Sequence, residues 1–244
     1  MKCALVAVGF INEDSVHNKN VIVNALMQYS GKVDMLIFGE AFLQGFYGLN
    51  FQVEHDEKIA VSKDDVIIRE ICNVAKEYKI GVSFGFIEKE GEVFYSSQIT
   101  ITSDGTILDL YRRVSPGWKE EFANEQYREG DGFHTFVYEG KTIAIGLCGD
   151  LWFDENIESL KMLNADVVFW PVYTDFNSEE WNTEVKYEYA KQAGGIGSKV
   201  LYVNSVCLDK EGEDIAKGGA ALFVEGKVAA EIPSGQGGVL IVEV

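Results

Sequence analysis

Cys148 and Glu40 are the two residues of this chain best placed to do chemistry. Each ends an apolar run. Thr142 to Leu147 reads as a buried strand that delivers Cys148 at its carboxyl end. Gly149 then supplies a sharp turn and a helix start follows at Asp154. A thiol in that place faces the crevice where open α/β sheets hold small molecules. It is either a nucleophile or a packing residue, since free cysteine is often buried. Met35-Leu-Ile-Phe-Gly39 likewise runs straight into Glu40, which lies at the same sheet end as Cys148 if the two strands are parallel. There a carboxylate either accepts a proton or caps the following turn.

A thiol with a pKa of about 8.5 is only slightly ionised at neutral pH, so a nucleophile needs a base. His17, His55 and His134 all precede Cys148, which excludes an elbow served by a downstream histidine. Gly146-Leu-Cys148-Gly-Asp150 also lacks the second glycine of the G-x-nucleophile-x-G form. The base is therefore a carboxylate or an upstream histidine. The three histidines are too scattered to suggest a metal site by spacing. Cys3, Cys72 and Cys207 show no C-x-x-C pairing and read as buried thiols of a reducing compartment.

The elements that must position these residues alternate. Strands are expected over Lys2–Gly9, Val33–Gly39, Ile80–Ile87, Val93–Thr102 and Ile107–Tyr111, with hairpin turns at Glu90-Gly91-Glu92 and Ser103-Asp104-Gly105. More follow at Phe133–Tyr138, Lys141–Leu147, Asp166–Trp170, Lys199–Asn204, Gly219–Val224, Lys227–Ile232 and Gly238–Val242. Helices are expected over Asp14–Tyr29, with Val16, Asn20, Val23 and Met27 along one side, and over Asp64–Tyr78, capped by Asp64. Two more cover Asn156–Leu163 and Glu179–Gln192. The pattern predicts two sheets with helices on their outer faces, in one domain over residues 1–244.

The chain has 244 residues and a formal net charge of −18. That balance disfavours nucleic acid and anionic membrane surfaces, which are bound mainly through lysine and arginine. No apolar run is long enough to span a bilayer. The amino terminus reads as a first strand rather than a signal peptide, which favours a cytoplasmic place.

Taken together, the motifs resemble the nitrilase superfamily of carbon–nitrogen hydrolases. Strand-Gly-Glu40 comes first, then Tyr111-Arg112-Arg113, then Gly146-Leu-Cys148-Gly-Asp150-Leu-Trp. Asn164-Ala-Asp166-Val-Val-Phe-Trp-Pro171 is similar to the family's strand after the cysteine helix. Val200-Leu-Tyr-Val-Asn204 and the Gly218-Gly219 to Gly226-Lys-Val segment match in order, across essentially the whole chain. The resemblance implies an α/β fold, a four-layer α-β-β-α sandwich of two mixed sheets. It implies a thiol hydrolase of a small amide, or less readily a nitrile, acting through a thioester. Glu40 takes the place of the base, Cys148 that of the nucleophile, and the Gly149 N–H helps hold the oxyanion. No cofactor or metal is implied, and a homodimer or larger homo-oligomer is.

One position departs from the pattern. The family's catalytic lysine is replaced by Arg113, which keeps the charge but is effectively never deprotonated. Lys119, six residues on, is the alternative cation, with a solvated loop lysine as the simpler reading. For the family's supporting glutamate Glu125 is the first choice and Glu121 the second. Phe46, Tyr47, Trp118, Trp152 and Tyr173 are candidates to line the substrate pocket, with core packing as the plainer role. Two rivals share the resemblance: a member that only binds a metabolite, its chemistry lost with the lysine, and an acyltransferase that passes the acyl group to an acceptor other than water.

Overall fold

The computed structural model describes residues 1–212 and 215–244. Its first sheet is built on three parallel strands, β1 (Lys2–Ala7), β3 (Met35–Ile37) and β4 (Gly81–Glu90). Antiparallel β5 (Val93–Ile101) and β6 (Ile107–Arg112) extend one edge and β14 (Gly238–Glu243) the other, giving the order β14-β1-β3-β4-β5-β6. The second sheet repeats this plan around parallel β8 (Lys141–Ile145), β9 (Val167–Val172) and β10 (Lys199–Asn204). Antiparallel β7 (Thr135–Tyr138), β12 (Ala220–Val224) and β13 (Lys227–Ile232) complete the order β13-β12-β10-β9-β8-β7. A two-residue pair, β2 (Gly9–Phe10) with β11 (Val206–Cys207), ties the two halves together.

The strand sequences explain the layering. β1, β3 and β9 are apolar almost throughout, as strands covered on both faces must be. Alternate residues divide between two cores. Cys3, Leu5, Met35 and Ile37 meet Ile143, Ile145, Val167, Phe169 and Leu201 between the sheets. Ala4, Val6, Leu36, Val82 and Phe84 pack outward against the helices Ser15–Tyr29 and Val66–Tyr78. Ala144, Val168, Trp170 and Val200 pack outward against Asp154–Met162 and Lys186–Gly194. Four layers result, α-β-β-α. Among the described residues no helix is long and apolar enough to cross a membrane.

Three local expectations are corrected. The first helix does start after Asp14, whose side chain accepts the His17 N–H, but Val16 and Met27 face solvent. Its buried side is Asn18, Ile22, Ala25 and Leu26. Asn18 belongs there because its side-chain amide bonds the Ile11 and Leu43 carbonyls, contacts an apolar-periodicity search cannot register. The second helix is capped by Asp65, not Asp64. The expected helix Glu179–Gln192 is interrupted by a π-helical segment, Trp181–Val185, within which Trp181 stacks on Tyr202.

Candidate active site

Glu40 and Cys148 meet, though not as two strands of one sheet. β3 carries Glu40 in the first sheet and β8 carries Cys148 in the second, so the pair faces across the seam between sheets. The Glu40 N–H spans that seam, donating to the carbonyl of Val172 at the end of β9 at 3.2 Å. Beneath the Glu40 turn the backbone is packed close to β4. A Cβ on Gly85 would stand 2.3 Å from the backbone nitrogen of Ala41, so only glycine lets the turn settle.

Arg113 arrives by a different route. β5 reverses the direction of β4 and β6 reverses it again, so β6 ends where β3 does. The residue after β6 is Arg113, whose Nη1 donates to Glu40 Oε1 at 3.0 Å. Its Nε donates to Ser115 Oγ at 3.0 Å and its Nη2 to the Pro116 carbonyl at 3.2 Å. Glu40 Oε1 also accepts from Ser96 Oγ at 3.1 Å, while Oε2 accepts the Tyr173 N–H at 3.3 Å. Both charged side chains are buried.

The thiol sits on an unusual backbone. Cys148 itself takes the left-handed conformation, with φ 46°, and opens the 3₁₀ turn Cys148–Trp152; Gly149 was expected to make the turn and does not. A non-glycine residue held there costs of order 1–3 kcal/mol and persists only when its surroundings enforce it. Here Trp170 Nε1 donates to the Cys148 carbonyl at 2.8 Å. Buried Asp150 accepts from the Leu147 N–H at the start of the elbow at 2.8 Å and from the Ser115 N–H in the loop after Arg113 at 2.7 Å. Tyr111 Oη donates to the same carboxylate at 2.6 Å. Asp150 thus couples the cysteine turn to the arginine loop.

Charge sets the resting state. Burial pushes the Cys148 thiol up to about 12, the facing Glu40 carboxylate pushes the same way, and Arg113 opposes both. The resting site therefore holds a neutral thiol. For Arg113, burial works against the charge, but Glu40, Cys148 and Asp150 outweigh it and raise its pKa, so the guanidinium stays charged. Cys148 Sγ approaches the Tyr173 carbonyl at 3.5 Å.

The other expected residues divide. Phe46, Tyr47 and Trp118 line a cavity of about 450 Å³ between the loops that follow Glu40 and Arg113. Phe46 stacks on Tyr173 at 4.3 Å, so that wall backs directly onto the residue that bonds Glu40 and Cys148. Trp152 lies elsewhere, packed on Trp170 and Tyr189 in the outer layer. Glu125 and Glu121 stay exposed in the connection after β6 and are not brought to Glu40, Arg113 or Cys148. Glu125 enters the hydrogen bonding through its backbone carbonyl, which accepts from Arg128 Nε at 2.9 Å. Lys119 is tied to Glu129 at 2.8 Å and to the Tyr127 carbonyl, so it does not replace Arg113. Ser96, Ser115 and Asp150 were not singled out from the sequence as site residues. Ser96 carries no distinguishing signal. Asp150 had one, a carboxylate two residues past the nucleophile. Among the described residues no group of three or more His, Cys, Asp or Glu could hold a metal ion.

The sequence profile of the carbon–nitrogen hydrolase family matches residues 8–244. The chain belongs to that family. It is a hydrolase of carbon–nitrogen bonds other than peptide bonds. An (R)-stereoselective amidase of Pseudomonas sp. is 26% identical to this hydrolase over 231 residues, covering 95% of this chain and 80% of the relative. An N-carbamoylputrescine amidase of Oryza sativa subsp. japonica is 25% identical over 202 residues, 80% of this chain and 66% of that one. Among solved structures, an amidase from Nesterenkonia sp. superposes with a TM-score of 0.82 at 19% identity, over 100% of this chain and 90% of the other. The two share a fold.

Proposed function

We propose that this hydrolase is an amidase in which Cys148 is the nucleophile and Glu40 the general base. Sγ attacks the carbonyl carbon of a small amide as Glu40 takes the thiol proton, and a tetrahedral oxyanion forms. Glu40 returns that proton to the departing nitrogen, which leaves as ammonia or an amine, and a thioester remains on Cys148. Water then attacks the thioester carbon as Glu40 accepts its proton; the C–S bond breaks, Glu40 returns the proton to Cys148 Sγ, and the acid is released with the neutral thiol restored.

The observation that carries this reading is geometric: a half-buried thiol faces a buried carboxylate whose Oε1 is anchored by Arg113 and Ser96 while Oε2 takes a long backbone bond. A thiol held near 12 supplies almost no free thiolate, so bond formation and proton removal go together, and Glu40 Oε2 is the open acceptor. Arg113 cannot relay the proton because a guanidinium does not deprotonate. Its part is electrostatic: it fixes Glu40 and, with the Gly149 N–H, offers positive charge to the oxyanion. The aromatic cavity beside the trio suits an apolar portion of the substrate or leaving group. Amides are favoured over nitriles by the activities of the relatives named above. A homodimer or larger homo-oligomer working in the cytoplasm completes the proposal, its compartment supported by four free cysteines.

Ammonia release from small amides, ω-amides of dicarboxylates, N-carbamoyl amino acids and nitriles tests the reading, with wild type and Cys148→Ala run side by side. Release by wild type alone is expected. Release by both proteins would remove Cys148, and silence from both would favour a chain that binds a metabolite without turning it over. Adding hydroxylamine separates hydrolysis from acyl transfer, since a hydroxamate would then accumulate.

A further inference from the structure

Gly149 poses a question that the backbone does not answer. It follows the nucleophile, yet its φ is not in the left-handed region; that strain falls on Cys148. An alanine there is conformationally allowed. What forbids a side chain is space. A Cβ on Gly149 would stand 2.4 Å from Arg113 Nη2, 3.2 Å from Ser115 Oγ and 3.4 Å from Arg113 Cζ. Nη2 is the tip of a long side chain, and in most places such a tip would swing aside. This one cannot do so cheaply. Its fork is pinned by Glu40, Ser115 and Pro116, and the side chain is buried.

We propose that Gly149 is a positioning residue for Arg113, and that positions 113 and 149 form one coupled unit. The missing side chain after the nucleophile is what gives a planar guanidinium, rather than the slimmer ammonium of a lysine, room to stand beside Cys148 and Glu40. Three groups fill the available volume: the fork, the Ser115 hydroxyl and the bare Cα of Gly149. The inference deepens the amidase reading and rests on its assignment of Arg113 as the charge at the oxyanion. Gly149 therefore has two parts, an N–H directed at the reaction and a vacancy that serves its neighbour.

A double-mutant cycle over Gly149→Ala and Arg113→Lys tests the coupling. Gly149→Ala alone should cost on the order of 10²-fold in kcat with a smaller change in KM, because a displaced guanidinium withdraws charge from the transition state. In the Arg113→Lys background the same alanine should cost at least ~10-fold less, since an ammonium leaves the contested volume empty. Equal costs in the two backgrounds would overturn the proposal, as would an alanine variant within ~2-fold of wild type.

A second readout needs no turnover. The rate of Cys148 alkylation by iodoacetamide at fixed pH reports the thiolate that Arg113 stabilises. Gly149→Ala should slow it several-fold with arginine at 113 and leave it much less affected with lysine there. Identical slowing in both would also reject the coupling. Thermal melting confirms that each variant is folded. If wild type releases no ammonia but the alkylation cycle still shows coupling, the amidase reading fails while the structural unit stands.

Discussion

β5 and the end of β6 supply a serine and an arginine twice, once on each face of the sheet, and each pair holds a glutamate that comes from elsewhere, Glu88 from β4 and Glu40 from the turn after β3. On the helix-bearing side Glu88 is held by Arg112 and Ser97; toward the seam Glu40 is held by Arg113 and Ser96. Adjacent sequence positions supply both sets because successive side chains of a strand point to opposite faces. Their bonding differs. Arg112 grips Glu88 with two N–H donors, Nε to Oε2 at 2.8 Å and Nη2 to Oε1 at 2.6 Å, and Ser97 adds a third bond at 2.7 Å. Glu40 receives a single arginine N–H, and its second oxygen accepts a backbone N–H at a longer 3.3 Å. The first carboxylate has both oxygens firmly bonded and reads as a strut. The second is anchored through one oxygen and more lightly bonded at the other, as the proposed base requires. A Ser-Glu-Arg cluster is therefore not by itself an active site; what separates the two is a spare acceptor and a thiol in front of it.

The comparison can be broken in order of expected effect. Cys148→Ala should abolish turnover with the melting temperature little changed; residual wild-type-like activity would remove the nucleophile. Next come the paired glutamates. Glu40→Gln should lose at least ~10²-fold in kcat. Glu88→Gln should stay within a few-fold of wild type in kcat but lose about 1–3 kcal/mol of stability, read as a lower denaturation midpoint. If Glu88→Gln damages kcat as badly as Glu40→Gln, the two clusters are not functionally distinct.

Smaller effects sharpen the picture. Ser96→Ala should reduce kcat by roughly 3- to 10-fold, because Glu40 keeps its arginine but loses an aligning bond. Ser97→Ala should be felt in stability alone. The pH dependence of labelling gives the sign of the thiol's shift. Cys148 is neutral below about 12, so its alkylation should climb steadily as pH rises through the neutral and mildly alkaline range. A plateau at the ordinary thiol range would mean that burial and Glu40 do not govern it. Cys3, also pushed up to about 12 but wholly buried between the sheets, should stay unlabelled in the folded protein.

Much of this was legible in the sequence because the proposed reacting residues end apolar strands. Glu40, Arg113 and Cys148 each follow a run whose apolar pattern marks it as strand. Pairing order is not written in such runs. That β3 and β8 belong to different sheets depends on long-range register, so apolar runs alone do not say which sheet carries Glu40 and which Cys148. Gly149 looked like a turn glycine because turns are what glycine usually signals. The left-handed residue is its neighbour, and only coordinates show the guanidinium in the space a Cβ would fill. Glu125 stays exposed and apart from the trio, in a polar connection that offers several carboxylates and no periodicity by which to choose among them.

The most direct test is the covalent intermediate. Wild type and Glu40→Gln would be mixed with an amide that the wild type turns over, acid-quenched at short times, digested and mapped by mass spectrometry. An acyl group on the Cys148 peptide, gained with loss of the amine portion and formed far more slowly in Glu40→Gln, is the expected result. Turnover with no adduct on Cys148 at any time, or an acyl group mapped to another residue, would contradict the thioester route.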